Sequence, residues 1–153
     1  MALLKEQDRA ALRETFAEMT GRVRVAFFTQ ALGCETCGIV EQILDEVAPL
    51  GDKIELVKYN YAIDREQVAK YGIQRIPAIA LTRLESNADA EQAVVERDYG
   101  IRFYGVPSGY EFMTLIGGIL DVSSGESHLS DASRQLVAQL TEPTHIQVFT
   151  TPT

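Results

Sequence analysis

Only two cysteines occur in the chain, and they stand three apart as Cys34-Glu35-Thr36-Cys37. Thiols at this spacing can cycle between dithiol and disulfide when one sulfur is held as a thiolate. The flanking sequence supplies that condition. Val23 to Thr29 is rich in β-branched and aromatic residues, as a strand would be, and Leu32-Gly33 lets the chain turn. After the motif, Cys37, Val40, Ile43, Leu44 and Val47 share one helical face, and Pro49 and Gly51 end the run. Cys34 is thus expected near a helix N-terminus, where unpaired N–H groups and the helix dipole favour an anion and lower a thiol pKa. Cys37, expected one turn inside the helix, would be more buried and placed to close a disulfide with Cys34. Two other readings of the pair stay open. A structural zinc site needs two further ligands, and only His128 and His145 remain, far from finger spacing. A purely structural cysteine pair is the other.

These residues need a scaffold, and the chain reads as an alternation of helices and strands. Residues 5–19 predict a helix that buries Leu12, Phe16 and Met19 and stops at Thr20-Gly21. Ile54 to Tyr59 reads as a second strand, so strand, cysteine helix and strand form a parallel βαβ unit. Asp64 and Gln67 match a capping box for a short helix carrying Val68 and Tyr71, with Gly72 as its stop. Gln74 to Leu81 reads as a strand opening on Ile76-Pro77. A proline there costs little at a strand start; the alternative is a cis peptide beside the cysteines. The acidic stretch Leu84 to Asp98, with its turn at 85–89, reads as an elongated hairpin tip leading to a strand over Tyr99 to Tyr104. Ser108 and Glu111 form another capping-box pattern, before a helix carrying Phe112, Leu115, Ile116, Ile119 and Leu120. Gly117-Gly118-Ile119-Leu120-Asp121 superficially matches the glutathione-binding GGxxD of glutaredoxins, but it falls in mid-helix, where two glycines equally serve close packing. A last helix is expected from Asp131 to Leu140. His145 to Thr153 is again a strand pattern, echoing Arg24 to Gln30.

At 153 residues the chain fits one domain with a sizeable core. Its 46% hydrophobic content without a long apolar run indicates a soluble globular protein and no membrane span. The charged, helix-periodic N-terminus is unlike a signal peptide, so a cytoplasmic location is expected. There a lone CxxC serves catalysis more often than stapling. A net charge of −8 with no basic stripe argues against nucleic-acid binding.

The order of elements around Cys34-Glu35-Thr36-Cys37, Arg75-Ile76-Pro77-Ala78 and Ile101 to Phe112 resembles the thioredoxin fold. More closely, it is similar to the N-terminal unit of the glutaredoxin-like protein disulfide oxidoreductases, which fuse two such units. The resemblance implies an α/β, thioredoxin-like fold: a central mixed sheet flanked by helices, here with an extra N-terminal helix. It implies a redox domain over residues 1–143 and, over 144–153, the start of a second, truncated unit. Cys34 is then the attacking thiol, Cys37 the resolving thiol, and Pro77 a cis-proline opposite them, with the backbone of Ile76 available to an extended substrate. Glu35 and Thr36 tune the pair; a carboxylate beside Cys34 disfavours its thiolate. Phe28 stands about where thioredoxin carries a buried acid. The implied activity is reduction or exchange of protein disulfides. No cofactor is needed beyond the Cys34–Cys37 disulfide, and no GxGxxG or P-loop occurs, so electrons must come from an external thioredoxin-reductase-like donor. Implied partners are protein disulfide substrates, that donor and the missing second unit. Two alternatives are the N-terminal domain of a peroxiredoxin-reductase flavoprotein and a non-catalytic docking half.

Overall fold

The computed structural model describes residues 3–86 and 94–150. The elements run α1 (Glu6–Ala17), β1 (Arg22–Thr29), α2 (Cys37–Val47), a 3-10 turn (Ala48–Leu50), β2 (Ile54–Asn60), α3 (Arg65–Lys70), β3 (Ala78–Ser86), β4 (Val94–Tyr104), α4 (Tyr110–Ser124) and α5 (Asp131–Ala138). The four strands form one sheet in the order β2-β1-β3-β4. β1 pairs β2 in parallel, as the βαβ reading requires, while β3 pairs antiparallel with both β1 and β4. The sheet is therefore mixed and flanked by helices, and α1 precedes its first strand.

Alternation along β1 builds two cores. Val23, Val25 and Phe27 face α1, α2 and α4, where Leu12, Phe16, Val40, Leu44, Leu115 and Ile119 close over them. Ala26 and Phe28 face the other way, towards Val68, Tyr71 and Ile73 of α3 and its exit. All five apolar residues assigned to the buried face of α2 are buried. Gly118 in α4 explains the mid-helix glycine pair: a Cβ there would lie 3.2 Å from Leu81 Cδ1 and 3.6 Å from the Phe103 ring. The helix thus packs closely on β3 and β4 at this glycine, and a Cβ there would press on the Leu81 side chain.

Several details depart from the sequence reading. Cys37 is the first residue of α2, not one turn inside it. Neither expected capping box forms: the Asp64 carboxylate accepts from the Asn60 N–H upstream, and α4 is entered from Gly109 instead of Ser108. α1 ends at Ala17, and α5 ends at Ala138. The described parts of the polar stretch Leu84 to Asp98 are strand, since β3 runs to Ser86 and β4 starts at Val94; residues 87–93, with Asn87-Ala88-Asp89 of the expected turn, lie outside the described residues. Residues 145–150 form no strand and leave the sheet at four.

Candidate active site

The register of the strands gathers the chemistry at one end of the sheet. Phe28, near the end of β1, stands opposite Ala78, and Ala78 stands opposite Tyr104. The loop leaving β1 carries Cys34, the loop entering β3 carries Ile76 and Pro77, and the loop leaving β4 starts at Gly105. The last two are joined directly, because the Gly105 N–H donates to the Pro77 carbonyl at 3.1 Å. The Ile76–Pro77 bond is cis.

Cys34 and Cys37 are joined in a disulfide, with their Cα atoms 5.5 Å apart. Sulfurs bonded to each other are not a pair of zinc thiolates, and the zinc reading loses its ligands in this state. Among the described residues no group of three His, Cys, Asp or Glu could hold a metal ion. The two cysteines are unequally exposed: Cys37 is 3% exposed and held against the core by α2, whereas Cys34 is half-buried before the helix starts. Thr36 precedes α2 as its cap, and its carbonyl receives the Val40 N–H at 3.3 Å. The first-turn N–H groups of α2 therefore point toward the loop that holds Cys34. Glu35 is exposed beside it.

Phe28 is fully buried, with its ring 5.3 Å from that of Tyr59 and 5.4 Å from that of Tyr71. This position delivers packing and no carboxylate. A half-buried acid of this face lies elsewhere. Glu96, 11% exposed on β4, accepts from Thr82 at 2.7 Å and from Tyr71 and Lys70, and lies 3.4 Å from Arg24. Burial alone would raise its pKa, but hydrogen bonds from Lys70, Tyr71 and Thr82 outweigh that and hold it below the usual carboxylate value. Burial and the bond to Glu96 push the Tyr71 hydroxyl well above its ordinary pKa, so it stays a donor. Arg102 fastens the same tyrosine by donating from Nε to its carbonyl at 3.0 Å. These bonds tie the end of α3, from which residues 72–77 run to the proline, to the sheet.

The expected site residues thus lie at the same end of the sheet: Cys34, Glu35 and Thr36 on the β1–α2 connection, Cys37 opening α2, and Ile76 and Pro77 on the loop entering β3. The sequence reading missed Glu96, which it assigned to a solvated hairpin, and Arg75, whose guanidinium lies 4.8 Å over the Tyr104 ring beside Pro77. A period-two pattern through Val95, Arg97 and Tyr99 was the only available signal for the former. Nothing local pointed to the latter. Gly117-Gly118 of the GGxxD match lies in mid-helix, packed on Leu81 and Phe103 at its second glycine.

No protein-family model matches the chain. Individual proteins do. A probable thioredoxin of Methanothermobacter thermautotrophicus is 30% identical over 95 residues, covering 61% of this chain and 92% of its own length. The thioredoxin of Bacillus subtilis is 30% identical over 103 residues, covering 67% of this chain and 88% of its own. Among solved structures, a protein disulfide oxidoreductase from Aeropyrum pernix superposes with a TM-score of 0.72 at 26% identity, over 89% of this chain. This chain spans 55% of that protein's length. The NTD_N/C domain of the alkylhydroperoxide reductase AhpF from Enterococcus faecalis superposes with a TM-score of 0.70 at 26% identity, over 86% of this chain and 58% of that one. A CxxC disulfide on the loop entering α2, a mixed sheet and these relatives together lead to one conclusion: the chain belongs to the thioredoxin family and is a thiol–disulfide oxidoreductase.

Proposed function

We propose that the chain reduces or exchanges protein disulfides, with Cys34 as the attacking sulfur and Cys37 as the resolving one. The carrying observation is their unequal burial on either side of the α2 N-terminus. In the reduced protein, Cys34 thiolate attacks one sulfur of a substrate disulfide, forming a mixed disulfide and expelling the other substrate sulfur as thiolate. Cys37 then loses its proton, attacks Cys34 Sγ and releases the second substrate thiol, leaving the Cys34–Cys37 disulfide. Two electrons pass to the substrate. The reverse steps oxidise a dithiol.

Ile76 and Pro77 form the substrate ledge. Among the described residues, neither the N–H nor the C=O of Ile76 bonds to another backbone group, so both are open to an extended segment that pairs as an added strand. Glu35 and Thr36 tune the pair. Electrons return from an external reductase of the thioredoxin-reductase kind, acting on the disulfide, which is the sole redox group assigned to this chain. Turnover of that sort suits a reducing cytoplasm, the location we assign. Among the described residues no helix is long and apolar enough to cross a membrane. Residues 1–143 are the redox unit. Residues 144–153 open a second one, a reading supported by their echo of β1 and by the exposure of Ile146, Val148 and Phe149.

The test is reduction of a protein disulfide with dithiothreitol as electron source, comparing the chain with its Cys34→Ser variant. A rate that depends on Cys34 is expected; equal rates would leave a docking module. A second reading, service to a flavoprotein peroxiredoxin reductase, draws on the AhpF likeness, which nearly equals the Aeropyrum one. Faster re-reduction by such a flavoprotein than by thioredoxin reductase would favour it.

A further inference from the structure

Among the described residues, every arginine except Arg65 and Arg75 has a carboxylate within ion-pair distance. In a protein of net charge −8 most arginines are paired, and among the described residues these two unpaired ones occur together. Both are exposed, and both lie over tyrosine rings: Arg65 is 5.6 Å from the Tyr61 centroid and Arg75 is 4.8 Å from that of Tyr104. The Tyr61 hydroxyl donates to the Gln74 carbonyl at 3.1 Å, linking the two stacks into one strip. That strip borders the ledge, since Arg75 immediately precedes Ile76 and Tyr104 pairs with Ala78. A guanidinium resting on an aromatic face is held in place while N–H groups at its edge can meet a carboxylate in bidentate geometry; Arg65 spends its Nε–H on the Ala62 carbonyl at 3.0 Å, which leaves Arg75 the freer of the two.

We propose that Arg75, supported by Tyr104 and seconded by Arg65, selects substrates that carry an acidic side chain close to the disulfide. The partner is an extended protein segment whose backbone lies on Ile76 and whose carboxylate reaches the Arg75 guanidinium. This rests on the disulfide-exchange reading and adds to it a charge preference. Glu35, exposed beside Cys34, carries the opposite sign, so the preference depends on which side of the substrate cysteine the acid occupies.

The test uses peptides that differ only in Glu, Gln or Lys, placed two residues before or two residues after a cysteine. The cysteine is activated as its 2-thiopyridine mixed disulfide. Attack of Cys34 on the peptide sulfur releases thiopyridone, and Cys37 then frees the peptide thiol, so absorbance reports the first step. With pre-reduced protein, the Glu peptide of one placement should react about threefold faster than its Gln partner, the scale of one exposed ion pair. The Lys peptide should be slower still, and added salt should shrink the differences. Arg75→Gln should bring the Glu-to-Gln ratio to one, Arg75→Lys should keep part of it, and Arg13→Gln in α1 should leave it as it is. Equal Glu and Gln rates for the unmodified chain at both placements, or a ratio that survives Arg75→Gln, would overturn the proposal. Release from the Gln peptide no faster than by the Cys34→Ser protein would instead overturn the disulfide-exchange reading, and the proposal with it.

Discussion

Cys34 and Cys37 differ in access and in what their neighbours do to charge, and both differences can be measured. After reduction, a limiting alkylating agent should label Cys34 before Cys37, because Cys37 is almost fully enclosed by α2 and the sheet. Mass mapping that finds Cys37 modified first would reverse the assigned roles. Cys37→Ser should leave a substrate trapped on Cys34 as a stable mixed disulfide. Glu35→Gln removes a negative charge beside the thiolate, so it should lower the Cys34 pKa and make the pair more oxidising; a thiolate-absorbance titration reads the sign directly. The cysteines stood out in the sequence because they sit at a junction between a periodic apolar run and a turn, whereas Ile76 and Pro77 were marked only by the family resemblance. The stacking of Arg75 on Tyr104 was not. It exists only because β3 and β4 are neighbours, and no local pattern encodes which residues face each other across a pair of strands.

The hairpin elements show why polarity alone misleads. Glu96 looked like part of a solvated tip, yet it is the centre of the bonding that fixes α3 to the sheet. A strand that buries a satisfied carboxylate reads as loop to any rule that equates charge with solvent. Because its folded pKa lies below the ordinary 4.5, the contribution of Glu96 to stability is fully present above that value. It fades as pH falls through the lower folded pKa. Glu96→Gln should cost about 2 kcal/mol at neutral pH, by leaving Lys70 without its acceptor charge and Arg24 with Glu55 alone. It should also flatten the acid limb of stability against pH; an unchanged limb in denaturant titrations between pH 3 and 5 would assign that limb to other carboxylates. α4 supplies a second contrast. A Cβ on Gly117 meets nothing within 4 Å, whereas one on Gly118 meets Leu81 and Phe103. Gly117→Ala should therefore stabilise by up to about 1 kcal/mol through helix propensity. Gly118→Ala should lose that gain to overpacking.

At the scale of the whole molecule, the chain's last described residues are exposed. α5 has no buried residue, and Ile146, Val148 and Phe149 are 80%, 79% and 90% exposed. Removing residues 144–153 should shift unfolding by less than about 0.5 kcal/mol and leave the disulfide-reduction rate unchanged. Loss of either would make this stretch part of the redox unit. Residues 145–150 carry a strand pattern yet form no strand, since no strand of the sheet pairs with them. What sequence could not reveal was a break in the outer strand. β4 lies at the edge of the sheet, and its pairing jumps from Leu81 opposite Ile101 to Thr82 opposite Asp98, leaving Tyr99 and Gly100 without partners across the strand. Gly100 has φ 79°, a conformation that costs glycine little. An unbroken edge would offer a continuous row of free N–H and C=O groups to the edge of another copy. The bulge interrupts that row between two short runs, with Arg97 and Asp98 beside it, and so limits how far two copies can zip together. Deleting Tyr99 and Gly100 together should even out the ladder and raise light scattering at high concentration, for the bend in β4 keeps one molecule's sheet from becoming the template for the next.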